Sequence, residues 1–212
     1  MKNNYSYAGV AFIILIFGIW GGNELSKRSE KRELVKFEKV PDFEFTNQNG
    51  DLISNKDYEG KVYVVEFFFT TCPTICPIMT KNTLLLQNKF YGNPYFGIAS
   101  ISINPKNDTP KVLKEYAIEK GATMESWNFL TGAEEKVFEF SNNGFKLYAG
   151  KNEEVEGGFE HSGLFALIDK QGFIRSRTIK IGDNENPIKF YDGLDVNAIE
   201  MLKEDINILL ED

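Results

Sequence analysis

Strand-like and helix-like segments alternate along the chain from residue 40 onward. Residues 61–69 (Lys-Val-Tyr-Val-Val-Glu-Phe-Phe-Phe) are β-branched and aromatic and predict a buried central strand, residues 95–103 predict a second strand, and residues 128–130 a short third. Apolar positions at helical spacing predict a helix over 79–90, and Pro73 suits an early position in that helix. The pattern is typical of a sheet whose strands are joined by helices.

Capping and turn residues mark the next elements. Asp108-Thr109-Pro110 predicts the N-terminal cap of a helix over 111–120, which Gly121 ends. The sequence Thr131-Gly132-Ala133-Glu134 has the spacing of a capping box and predicts a helix that stops near Gly144.

The C-terminal third predicts a hairpin and a helix. After an irregular, acidic and glycine-rich loop (150–160), residues 164–169 and 173–179 predict a hairpin, and Asp195 caps an amphipathic helix over 196–210. The order β-α-β-α, then hairpin, then helix predicts an α/β fold with a thioredoxin-like central sheet flanked by helices. We expect one such domain over residues 40–212.

Composition argues against one class of partner. The 212-residue chain has 42% hydrophobic residues, enough for an ordinary core. Its formal net charge is -7 and its sequence pI is about 5.0. A nucleic-acid-binding protein needs a basic face, so no nucleic acid is expected as a partner.

Two cysteines and one histidine are the soft-metal and thiol groups of the chain. Cys72 and Cys76 lie where the central strand passes into a helix, and the positive end of that helix would favour thiolates. Residues four apart share a helical face with about 6 Å between their Cα atoms, a separation that a disulfide can bridge. The pair suits a metal-bound dithiolate, a redox pair or a structural staple.

His161 follows the acidic loop and directly precedes an apolar strand. A lone histidine is more often a surface or satisfied core residue than a ligand. In a thioredoxin-like sheet, however, this loop faces the helix that carries the cysteines. Two thiolates and one imidazole suit copper, zinc or thiol chemistry. Cu(I) matches their softness and low coordination number, and Cu(II) could accept a further oxygen donor.

The first 23 residues predict a membrane anchor. No charge occurs between Tyr5 and Gly22, and residues 8–20 are almost wholly apolar, slightly short of the roughly 20 residues of a comfortable membrane span. The run fits a compact transmembrane anchor, a cleaved signal segment or, least well, a buried helix. Ile19 and Trp20 make a poor cleavage site and no lipobox cysteine is present, so an uncleaved anchor is favoured.

The charged segment 24–39 predicts a solvated stalk. Its basic residues outnumber those before the apolar run, and the positive-inside tendency alone would keep the domain in the cytoplasm. A short positive region before an N-terminal apolar run is also an export signal. A dithiol beside a potential metal-binding histidine would also have a function outside the cytoplasm. We therefore expect the soluble domain on the periplasmic side of the membrane.

Four motifs follow one another along the chain: residues 67–77 (Phe-Phe-Phe-Thr-Thr-Cys-Pro-Thr-Ile-Cys-Pro), residues 102–110 (Ser-Ile-Asn-Pro-Lys-Asn-Asp-Thr-Pro), Glu160-His161-Ser162 and Phe190-Tyr191-Asp192-Gly193. In this order they resemble the motifs of the Sco/SenC family of copper-binding, thioredoxin-like proteins. The resemblance covers roughly residues 36–210. It implies a membrane-anchored metallochaperone that helps to assemble the dinuclear copper centre of cytochrome c oxidase, with Cys72, Cys76 and His161 as copper ligands.

The resemblance also implies partners and supporting residues. The expected partners are the copper-bearing subunit of the oxidase, other copper chaperones or thiol reductants, and the membrane. Asp108 matches an acidic residue thought to support the site, although a helix cap explains it equally well. Glu160 stands where the family usually has Asp, and Asn104 where it often has Asp; neither change touches a predicted ligand.

Three other functions stay open. A thiol-disulfide oxidoreductase that reduces the cysteines of the oxidase copper site would use Cys72 and Cys76 as its catalytic redox pair but could spare His161; a metallochaperone as such is not an enzyme. A peroxidase is disfavoured because Phe69 replaces the threonine that peroxiredoxins place three residues before the nucleophile. A structural zinc site would need a carboxylate as its fourth ligand.

Overall fold

The computed structural model describes residues 12–18, 33–182 and 184–212. Residues 12–18 are helical, and no described helix has the length and apolar character needed to cross a bilayer. The rest of the predicted anchor (1–23) and residues 24–32 of the predicted stalk lie outside the described residues. The compact unit begins at Leu34, before the predicted domain boundary at residue 40.

Thirteen strands are described in the compact unit. They are β1 (Val35–Lys39), β2 (Glu44–Asn47), β3 (Leu52–Ser54), β4 (Val62–Phe68), β5 (Phe96–Ser102), β6 (Trp127–Thr131), β7 (Ala149–Lys151), β8 (Phe159–His161), β9 (Leu164–Ile168), β10 (Phe173–Ser176), β11 (Thr178–Ile181), β12 (Asn184–Pro187) and β13 (Tyr191–Asp192). The main sheet has the order β1-β10-β9-β4-β5-β6-β2-β3, and β13 pairs with β9. Two short hairpins, β7-β8 and β11-β12, lie off this sheet.

The helices lie between and after the central strands. They are α1 (Cys76–Phe90), α2 (Pro110–Lys120), α3 (Glu134–Glu139) and α4 (Val196–Glu211), with a 3-10 turn at Asn55–Tyr58 and a π-helical segment at Phe140–Phe145. Asp195 caps α4 by accepting a hydrogen bond from the Asn197 amide, as the sequence predicted. Gly121 ends α2 in the left-handed conformation, with φ of 76°.

The centre of the sheet is β4, all of whose residues are buried. It runs parallel to β5 and antiparallel to β9. A strand that is covered on both faces needs a continuous apolar run instead of an alternating one, which is why the pattern over 61–69 predicted it. The predicted strands at 95–103 and 128–130 and the predicted hairpin are confirmed as β5, β6 and β9-β10.

The charged segment before the domain contributes a strand as well. Val35 pairs with Ser176 and Lys39 with Phe173, so β1 forms an edge of the main sheet beside β10. The final residues of the predicted stalk are therefore part of the fold.

Two predictions of helix starts were wrong. Helix α1 begins at Cys76 and takes Pro77 into its first turn, whereas Cys72 and Pro73 precede it. Pro77 has no N–H to donate to the carbonyl four residues before it, so a helix that began at Pro73 would lose that hydrogen bond, whereas a proline in the first turn of a helix loses none. The predicted cap of α3 is absent because Thr131 belongs to β6, and Ala133 occupies the N-cap position.

The acidic segment 150–160 also differs from the predicted irregular loop. Its ends pair as β7 and β8, with Ala149 opposite His161 and Lys151 opposite Phe159. His161 therefore lies in a strand.

One acidic side chain interrupts the apolar face of β4. Glu66 is 3% exposed and accepts hydrogen bonds from the hydroxyls of Ser100 (2.5 Å) and Thr83 (3.3 Å to each oxygen). Burial raises the pKa of Glu66 to about 7, and the hydrogen bonds and the nearby His161 only partly offset that effect.

This buried carboxyl group predicts a pH-dependent stability. Below the pKa of the unfolded chain Glu66 is protonated in both states. Between that pKa and 7 the unfolded chain ionises while the folded protein keeps its proton, so the Glu66 contribution to stability falls over this window and is level above it. A difference of this size corresponds to about 3 kcal/mol lost by pH 8. We therefore expect the free energy of unfolding of Glu66→Gln to gain about 3 kcal/mol relative to the wild type between pH 4.5 and 8, measured by urea denaturation of the reduced, metal-free proteins.

The matched control is Glu44→Gln, because Glu44 is exposed. It should follow the wild-type pH profile. A difference between Glu66→Gln and the wild type that does not change over this pH range would contradict the assignment.

Candidate metal centre

The turn between β4 and α1 places both cysteines. Cys72 follows the strand, and its backbone N–H donates to the Phe69 carbonyl (3.2 Å). Cys76 is the first residue of α1, and its backbone N–H donates to Cys72 Sγ at 3.5 Å. A helix N-terminus therefore points one of its free amides at the first sulfur, an arrangement that stabilises a thiolate.

His161 approaches the same point from β8. Its Nε2 lies 3.2 Å from Cys76 Sγ, and its Nδ1 lies 3.0 Å from the Ser162 carbonyl oxygen. In the tautomer that satisfies both contacts, Nδ1–H donates to the carbonyl and Nε2 turns its lone pair toward the sulfur. The edge of the Phe69 ring packs against the imidazole, with 5.9 Å between ring centroids.

Cysteine, histidine and acidic side chains are the common metal ligands of proteins. Among the described residues, Cys72, Cys76 and His161 form the one group of three or more such side chains that lie close enough to share a metal ion. Their ligand atoms all lie within 4.8 Å of one another. Cys76 is 1% exposed, and Cys72 and His161 are 9% and 8% exposed, so the pocket is nearly closed but not sealed. Both cysteines are free thiols. Two sulfur donors and one imidazole nitrogen, at separations that small adjustments would close onto one ion, fit a soft metal.

The two thiols differ in acidity. The hydrogen bond from the Cys76 side chain, together with contacts from His161 and the backbone, holds the pKa of Cys72 well below its usual range despite burial. The same hydrogen bond and burial raise the pKa of Cys76. Of the two thiols, Cys72 is therefore the one that ionises first.

Asp108 holds the cysteine turn from the loop between β5 and α2. Its buried carboxylate accepts hydrogen bonds from the Thr70 backbone N–H (3.0 Å), the Thr70 hydroxyl (2.5 Å), the Ser102 hydroxyl (2.5 Å) and the Asn107 amide (2.8 Å). The cap of α2 is instead Thr109, whose hydroxyl accepts from Val112 N. Of the two roles expected for Asp108, these contacts favour support of the site.

The second supporting residue that the sequence predicted lies differently. Glu160 precedes His161 in β8, so strand alternation turns its side chain to the opposite face. It is exposed and accepts a hydrogen bond from Asn152 (3.2 Å).

Sequence reasoning missed Thr70 and Ser102. Their signal was the position of polar residues at the carboxyl ends of two adjacent parallel strands, β4 and β5. Residues at that end of an open parallel sheet commonly line a site.

A family model and a curated relative match most of the chain. The SCO1/SenC family model matches residues 31–192. The SCO1 protein homolog of Bacillus subtilis strain 168 is 34% identical over 167 residues, which cover 78% of this chain and 81% of the relative.

Solved structures share the fold. A SCO1/SenC family lipoprotein from Bacillus anthracis has a TM-score of 0.71 at 30% identity, over 84% of this chain and 98% of that one. BsSco, described as a cytochrome c oxidase assembly protein with a disulfide switch, has a TM-score of 0.68 at 29% identity, over 84% and 96%. ScoI of Bradyrhizobium japonicum, solved with copper bound, has a TM-score of 0.62 at 20% identity, over 81% and 99%.

These neighbours confirm the predicted thioredoxin-like α/β fold. The extent of the family match and the identity to the B. subtilis relative decide the assignment. The chain belongs to the SCO1/SenC family.

Proposed function

We propose that the protein is a copper metallochaperone that binds copper through Cys72, Cys76 and His161 and assists assembly of the dinuclear copper centre of cytochrome c oxidase. The observation that carries the proposal is the convergence of two sulfur atoms and one imidazole nitrogen within 4.8 Å. The copper-bound ScoI structure and the description of BsSco as an oxidase assembly protein support the cargo and the target.

The donor set fits both oxidation states of the cargo. Cu(I) is soft and accepts low coordination numbers, so two thiolates and one imidazole satisfy it. Cu(II) takes an additional oxygen ligand, which a water molecule or a nearby carboxylate would supply. Cys76 releases its proton when it binds, because the metal ligand is the thiolate.

The proposed protein works at a membrane, with its folded domain outside the cytoplasm. The apolar N-terminal run of residues 8–20 supports an anchor, and the B. anthracis neighbour is described as a lipoprotein. The proposed partners are the copper-bearing oxidase subunit, which receives the metal, and a thiol reductant or other copper chaperone.

A second candidate function is reduction of the cysteines of the oxidase copper site. The unequal acidity of the two thiols favours it, because an exchange reaction needs one thiolate to attack and a second thiol to resolve the mixed disulfide. Attack by the Cys72 thiolate on a partner disulfide would release one partner thiolate, and Cys76 would then displace the other and leave a Cys72–Cys76 disulfide.

Copper titration of single variants tests the ligand set. We expect Cys72→Ala, Cys76→Ala and His161→Ala each to weaken Cu(I) binding by more than about 100-fold. Substitution of a residue that only supports the ligands costs up to about 100-fold in metal affinity, and loss of a ligand should cost more. Affinity would be measured by competition with a Cu(I) chelator under reducing conditions.

The control for this titration is Ile78→Ala, which changes an exposed apolar residue in the same helical turn. It should bind copper as the wild type does. A His161→Ala protein with undiminished affinity and full oxidase assembly would favour the reductase instead.

Oxidation of the cysteine pair should release the metal. A disulfide removes two protons and two electrons from the thiols and leaves no thiolate for copper, so we expect stoichiometric oxidation by diamide to abolish binding and reduction by dithiothreitol to restore it. Equal copper affinity in the reduced and oxidised proteins would rule out coupling between transfer and redox state.

A further inference from the structure

The metal ligands lie beyond the ends of two strands that pair in the main sheet. The cysteines follow β4, and His161, in β8, precedes β9. The β4–β9 pairing stops at Val65 and Ala166, before either segment reaches its ligands, so it does not by itself set the distance from the imidazole to the sulfurs. A further contact nearer the ligands can set that distance.

A chain of two hydrogen bonds connects the two segments. Asn82 lies on α1 six residues after Cys76, is 2% exposed, and donates from its side-chain amide to the Gly193 carbonyl at 2.8 Å. The Gly193 N–H in turn donates to the Gly163 carbonyl at 2.8 Å. Gly163 follows His161 by two residues. The helix that carries Cys76 is thus tied to the backbone beside the histidine.

The contact between the two glycines leaves no room for a side chain at Gly193. A Cβ atom on Gly193 would lie 2.6 Å from the Gly163 carbonyl oxygen and 2.8 Å from the Phe165 ring. On the other side, the Leu194 side chain packs against Gly163. In such close packing, a shift of the Gly193 backbone is passed on to Gly163.

The backbone next to Gly163 orients the imidazole. Ser162 donates its N–H to the Tyr148 carbonyl (3.0 Å), and its own carbonyl lies 3.0 Å from His161 Nδ1. A displacement of residues 162–163 would therefore rotate or move the ring that faces Cys76 Sγ.

We infer that Asn82 is a positioning residue that sets the distance between the cysteine sulfurs and the His161 imidazole through Gly193 and Gly163. Asn82 touches no ligand atom in the described contacts and acts only through the backbone of two loops. The inference deepens the proposed function and rests on it in so far as the three side chains hold copper.

The experiment compares Asn82→Leu with Gln87→Leu in the full chain. Both changes remove a buried amide from α1, but Gln87 bonds to the Gly121 carbonyl and to the backbone of Thr123 and Met124, far along the helix from the cysteines. Gln87→Leu therefore controls for a general loss of stability. Asn82→Ser, with a shorter donor, is the milder variant in case Asn82→Leu does not fold.

The first readout needs no metal. The chain has a single histidine, so its ring ¹H and ¹⁵N resonances in the reduced, metal-free protein report on His161 alone. We expect them to shift or broaden in both Asn82 variants and to stay at their wild-type positions in Gln87→Leu. Wild-type ring resonances in folded Asn82→Leu, or the same shift in Gln87→Leu, would overturn the inference.

The second readout uses Cu(II) as the probe. Loss of the hydrogen bond from Asn82 to Gly193 should weaken Cu(II) binding on the order of 10- to 100-fold, as expected for a residue outside the ligand set. It should also shift the thiolate-to-copper absorption band. In a His161→Ala background the Asn82 change should have no further effect; an equal effect there would overturn the inference. Failure of the wild type to bind copper would instead refute the proposed function and leave the histidine resonances as the test of that hydrogen bond.

Discussion

The candidate metal centre depends on how the central strand ends. After Phe68 the chain leaves a buried strand and turns within a few residues into α1, through a segment in which Pro73 donates no backbone hydrogen bond. The Asp108 carboxylate supplies the missing restraint, because it binds both the backbone and the hydroxyl of Thr70. With that turn fixed, the first amide of α1 can meet the sulfur of Cys72.

The same geometry explains why two cysteines in one turn are chemically unequal. Cys72 lies in front of the helix and receives hydrogen bonds, whereas Cys76 lies inside the first turn, more deeply buried and in contact with His161. Hydrogen bonds stabilise a thiolate at Cys72, whereas burial and the nearby Cys72 charge disfavour a second thiolate at Cys76. A cation that enters the pocket removes that opposition, because it neutralises the second thiolate as it forms.

Sequence patterns predicted the parts of the fold that depend on local chemistry. The apolar run of β4, the glycine that ends α2 and the aspartate that caps α4 all act through their immediate neighbours. Predictions failed where strand pairing decided the outcome: Thr131 pairs with Thr46 of β2, and the ends of the acidic segment pair with each other. The two cysteines could be placed together from their spacing, but the approach of His161 followed only from the expected topology. The role of Asp108 could not be assigned from sequence, because an aspartate can either cap a helix or accept the hydrogen bonds that hold the cysteine turn.

Strand β1 has a consequence for how the domain can be isolated. It covers the outer side of β10, and it is formed by residues that look like a charged linker. A fragment cut at residue 40 would leave the backbone donors and acceptors of β10 unpaired along a new sheet edge. Such edges recruit strands from other molecules, so self-association of a truncated protein would reflect the missing strand and not a natural oligomer.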